Sequence, residues 1–83
     1  MNEIELRVFV SVADAGCLDV AAQSMGATQP AIRYQLMCLE KTLGIRLWER
    51  DASGSRLTRC GQMILPSARA ALVLFDSIRQ SGR

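Results

Sequence analysis

Four residues within six positions, Gln29, Pro30, Arg33 and Tyr34, carry side chains suited to the base edges of duplex DNA. Glutamine can bond N6 and N7 of adenine, and arginine O6 and N7 of guanine. Proline and a tyrosine ring can pack on a thymine methyl or a sugar. Thr28, just before them, suits two compatible roles, helix cap and phosphate ligand. Arg50, Arg56 and Arg59 would meet phosphates or enter the narrow groove. For these three, as for Arg33, a solvated surface charge stays open as the plain alternative. Enzymatic chemistry has no comparable support: the chain lacks histidine, and its six glycines are scattered singly rather than gathered in a phosphate loop. We therefore expect no catalytic residues, no metal and no cofactor.

Elements that could position these residues follow from apolar spacing. Leu6, Phe9, Val10 and Ala13 recur at helical intervals between Asn2, with Glu5 three residues on, and Gly16, which predicts a first helix over about 3–15. A short second helix over "LDVAAQSM" has Asp19 available as cap, a small apolar face of Val20, Ala21, Ala22 and Met25, and Gly26 beyond its end. With Thr28 as cap, Pro30 falls in a first turn whose N–H groups have no helical acceptor. Ile32, Leu36, Leu39 and Leu43 then form a core stripe on a third helix, 29–43. Taking Ile32 as 0°, Pro30, Arg33, Tyr34 and Met37 project at about 100–200°. They face away from the core, and Gln29 projects from the tip. "RLWER" and "SRLTR" flank the turn-forming "DASG", a two-stranded hairpin with Leu47 and Leu57 inward. Thr58 can cap a last helix over about 59–80. Pro66 leaves two options there, a kinked helix or a start nearer Met63.

The net charge is +2, but its distribution is uneven. Residues 1–28 hold one arginine against four acids, residues 29–59 six cations against three acids, and residues 60–83 three arginines against one acid. Nine of the ten cations are arginine, the residue suited to bidentate phosphate or base contacts. Cys17, Cys38 and Cys60 are widely spaced, with neither zinc-site nor paired-disulfide character, and are read as small apolar residues of a reducing compartment. The acidic start and the lack of a long apolar run point to a soluble cytoplasmic protein without membrane association.

Two short helices joined at Gly26, the second presenting a polar tip, make a helix-turn-helix. Phe9, the Ala21-Ala22 pair, "TQPAI" at 28–32, "LEKTLGIRLWER" at 39–50 and "LTRCG" at 57–61 resemble the N-terminal winged helix-turn-helix of LysR-type transcriptional regulators. The resemblance covers essentially the whole chain. It implies a mainly α fold: three helices and a two-stranded β wing over 1–58, then a linker helix over 59–83 through which family members dimerise. It also implies double-stranded DNA as partner, with helix 29–43 in the major groove and the wing, 46–58, at the backbone or minor groove. By position, the family's DNA contacts fall on Gln29, Pro30, Arg33 and Tyr34 and on the wing arginines.

Three departures stand out. Cys17-Leu18-Asp19-Val20 replaces the family's usual start to the second helix and puts a negative charge near phosphates. Arg33-Tyr34 stands where a Ser-Arg pair is common, so the cation is displaced by one position. Trp48 replaces a usual phenylalanine. The family's effector-binding domain is not in this sequence, so no small-molecule effector site is expected in it. An excised domain and a natural short form are both open. The expected function is sequence-specific DNA binding by a homodimer that pairs through Ile64, Ala68, Ala71, Leu72, Phe75 and Ile78. The alternative is an interaction module that uses the C-terminal helix to pair with another regulator.

Overall fold

A computed structural model describes every residue except Ser53 and Arg83. The elements run α1 (Glu3–Ala15), α2 (Leu18–Met25), α3 (Gln29–Leu43), β1 (Trp48–Asp51), β2 (Gly54–Leu57) and α4 (Arg59–Ser81). This is the expected mainly α winged helix-turn-helix with a long last helix. The strands pair antiparallel, Trp48 opposite Leu57 and Arg50 opposite Ser55. Ser53, within the expected "DASG" turn, lies outside the described residues.

Side-chain caps set the helix starts. Asn2 Oδ1 accepts from the Glu5 amide at 2.9 Å, Thr28 Oγ1 from Ala31 at 3.2 Å, and Thr58 Oγ1 from Gly61 at 3.0 Å. The first helix has only half of a capping box. Glu5 is 7% exposed, and its Oε1 lies 3.9 Å from the chain's terminal amine. The second helix corrects the expected cap. Cys17 occupies that place, its Sγ 3.5 Å from the Val20 amide, and Asp19 is the second residue of α2. Gly26 then turns the chain towards α3 with φ 63°, a left-handed conformation that glycine adopts without strain.

Phe9 and Val12 of α1, Ala21 of α2, Ile32 and Leu39 of α3, and Leu47 before the wing are essentially sealed from solvent. Each large member contributes about 1.5–3 kcal/mol by its burial. α2 rests on its two alanines, whereas Val20 and Met25, expected on its inner face, are exposed. Small side chains let α2 lie close, which is what brings its first turn beside the tip of α3.

α4 runs unbroken from Arg59 to Ser81 with Pro66 inside it, so its start is the Thr58 cap and not a point near Met63. Two residues expected to pair with a second copy are instead core. Ala68 is 3% and Leu72 9% exposed because both pack in the hydrophobic interior of their own chain. Ile64, Ala71 and Phe75 are partly buried against that interior, and Ile78 is 69% exposed. Met63, Leu74 and Ile78 form the open apolar side, within about 60° of one another around the helix. Ion pairs fix α4 along α1: Arg69 with Asp14, Arg79 with Glu3, and Arg7 with both Glu3 (2.7 Å) and Asp76 (2.6 Å). Their arginines hold the Glu3 and Asp14 carboxyls below the usual carboxylate range.

Candidate nucleic-acid interface

The tip of α3 stands clear of the core. Thr28, Gln29, Pro30 and Arg33 are exposed, and Tyr34 is 59% exposed. Pro30, Arg33, Tyr34 and Met37 line one shallow surface with Gln29. The face opposite the Ile32–Leu36–Leu39 stripe is therefore the polar, arginine-bearing one. Met37, placed outward by its angle on the helix, belongs to this same face. The Cys38 thiol one turn on raises the Tyr34 phenol above its ordinary value.

A cleft separates this tip from the wing. Asp19, Gln29 and Arg33 line one side, and Trp48, Arg50 and Ser55 the other. Alternation along β1 puts Trp48 and Arg50 on one face and Glu49 on the other, and Glu49 also borders the cleft. The two arginines on the strands thus differ. Among the described residues Arg50 has no ion pair and lines the cleft. Arg56, opposite Glu49 in the register, is held by Asp51 at 3.0 Å and by Glu49 at 3.7 Å. Arg59, the first residue of α4, is exposed.

What holds the wing at its angle is a junction that spacing does not reveal. Glu40 Oε2 accepts from the Leu47 amide at 2.7 Å and the Trp48 amide at 3.2 Å. The Leu47 carbonyl accepts from the Thr58 amide at 3.0 Å, and the Thr58 hydroxyl donates to the Arg46 carbonyl at 2.6 Å. α3, the wing and the start of α4 meet at this point. Two tips separated by a fixed cleft, one rich in hydrogen-bonding side chains and one carrying arginine, suit a groove and its flanking phosphates.

Residues 4–62 match the family described as bacterial regulatory helix-turn-helix protein, lysR family. The chain belongs to the LysR family. Among its relatives are the HTH-type transcriptional regulators TfdT of Cupriavidus pinatubonensis, 43% identical over 72 residues, and ClcR of Pseudomonas putida, 37% over 79. Those alignments take in 87% and 95% of this chain but only 32% and 27% of the relatives, so it spans about a third of their length. The LysR regulator CbnR superposes over the whole chain with a TM-score of 0.93 at 36% identity, covering 29% of CbnR. A structure of the CbnR DBD in complex with DNA covers both chains completely, with a TM-score of 0.85 at 37% identity. Among the described residues no helix of this LysR chain is long and apolar enough to cross a membrane.

Proposed function

We propose that this LysR-family chain binds double-stranded DNA sequence-specifically, as a homodimer that regulates transcription in the cytoplasm, in a binding and not a catalytic role. Helix α3 enters the major groove, with Gln29, Pro30, Arg33 and Tyr34 at base edges and Thr28 at a phosphate. Arg50 and Arg59 lie against the backbone or minor groove, with Arg56 a weaker contributor because Asp51 and Glu49 already hold it. Residues 1–58 form the reading unit and 59–83 the pairing helix, whose first half also serves the core. The supporting observation is the exposed tip of α3 with its arginine and glutamine, set across a fixed cleft from Arg50.

Pairing uses the open side of α4, where Met63, Leu74 and Ile78 leave apolar surface uncovered. Ile64, Ala71 and Phe75 flank that seam, while Ala68 and Leu72 support it from within.

Duplexes selected from a randomised pool by the full chain supply the probe. In fluorescence anisotropy, Gln29→Ala and Arg33→Ala should each weaken the selected duplex by about 1–3 kcal/mol while leaving a scrambled duplex nearly unchanged. Equal losses on both duplexes would refute base reading by α3. Leu74→Glu with Ile78→Glu should convert a dimer to a monomer in sedimentation; an unchanged dimer would refute the seam.

A further inference from the structure

Asp19 was expected as a helix cap, but its carboxylate is engaged elsewhere. Oδ1 accepts from the Gln29 side-chain amide at 3.1 Å, linking the first turns of α2 and α3. Among the described residues Asp19 forms no ion pair, and its carboxylate borders the cleft.

We propose that Asp19 is a specificity-determining residue that fixes the orientation of the Gln29 carboxamide and so commits it to adenine. This rests on the reading of α3 as the base-reading helix. A glutamine amide can turn over, exchanging its acceptor oxygen for its donor nitrogen. An ionised carboxylate only accepts, so the nitrogen must face Asp19. One N–H is given to Asp19; the other remains beside Oε1. The free end then offers one donor and one acceptor in a set order, the complement of adenine N7 and N6. Without Asp19 the amide is free to turn, and its two N–H groups can also address guanine O6 and N7. The same carboxylate repels phosphates, so it weakens every complex while sharpening the choice among bases.

The test uses the full chain, the selected duplex, and duplexes altered singly at each base pair. Gln29→Ala first identifies the base pair that Gln29 reads, as the position where preference collapses. Asp19→Ala should then tighten binding to all duplexes, scrambled ones included. At that base pair it should lower the preference for adenine by about three- to tenfold, the scale of one hydrogen bond. In the Gln29→Ala background, Asp19→Ala should change no base preference. Without DNA, the Gln29 side-chain NH2 resonances should move in Asp19→Ala. A uniform gain in affinity with the preference intact would show that Asp19 acts only as a charge and overturn the proposal, as would unmoved Gln29 resonances. If Gln29→Ala alters no base preference, base reading by Gln29 itself is overturned, a result distinct from failure at Asp19.

Discussion

Gly61 lies in the first turn of α4, where an alanine would ordinarily stabilise a helix by about 1 kcal/mol. Here the sign should reverse. A Cβ at position 61 would stand 2.4 Å from the Leu47 carbonyl oxygen and 3.3 Å from the Leu57 side chain. Relief requires the two backbones to part by about 1 Å, because an ordinary carbon–oxygen contact is near 3.4 Å. Leu47 cannot yield freely. It is fully buried, its amide is held by Glu40, and its carbonyl is the acceptor for Thr58. Overpacking against a fixed backbone costs about 1–3 kcal/mol, and weakening one of these hydrogen bonds adds about 1. After the helix-propensity gain, Gly61→Ala should destabilise by about 1–3 kcal/mol. That is a large share of the roughly 4–12 kcal/mol expected of a domain this size. Urea unfolding at a fixed protein concentration is the assay, followed by circular dichroism and by the fluorescence of Trp48, the single tryptophan, which adjoins the junction. A midpoint equal to or above the wild type would refute the close approach and leave Gly61 an ordinary helical residue.

Removing the Glu40 carboxylate in Glu40→Ala strands two backbone N–H groups and should cost about 2–4 kcal/mol in the same assay, with Glu40→Gln milder because its oxygen still accepts. Because Glu3 and Asp14 have lowered values in the fold, their contribution is present above the ordinary carboxylate range and is lost as pH falls through the folded values. Stability should therefore drop below about pH 4, and Glu3→Gln with Asp14→Asn should flatten that slope in acid titrations followed by circular dichroism. In anisotropy, Arg50→Ala should weaken all duplexes alike and reduce the salt slope by about one, whereas Arg56→Ala should do less because Asp51 and Glu49 already engage it.

Helix limits and the outward face of α3 were legible because each rests on local rules. The Thr28 cap, the Pro30 position and the Ile32–Leu36–Leu39 stripe settle α3 without reference to the rest of the chain. The misread features are non-local. Asp19 looked like a cap because an acid just before an apolar run often is one, yet Cys17 lies two residues earlier and Gln29 ten residues later draws the carboxylate away. Ala68 and Leu72 carry the same spacing as the exposed seam. Periodicity identifies a stripe but not which partner covers each edge of it, and here α1 covers part. Glu40 and Gly61 gave no periodic signal, since one acts through two amides in the wing and the other through an absent side chain.

These non-local residues act on the same quantity, the relation between the tip of α3 and the wing. Glu40 fixes the chain leading into β1 to α3, and Gly61 lets the first turn of α4 close on that same segment. The Asp14–Arg69 and Glu3–Arg7–Asp76–Arg79 pairs then set the direction of α4 against α1. In a dimer paired along α4, that direction determines how far apart the two copies of α3 lie. Under the proposed function, base choice and half-site spacing should therefore depend on different residues: the first on the exposed tip and Asp19, the second on ion pairs remote from the DNA. A change in the ion pairs should alter which spacings are accepted while leaving preference within each half-site intact.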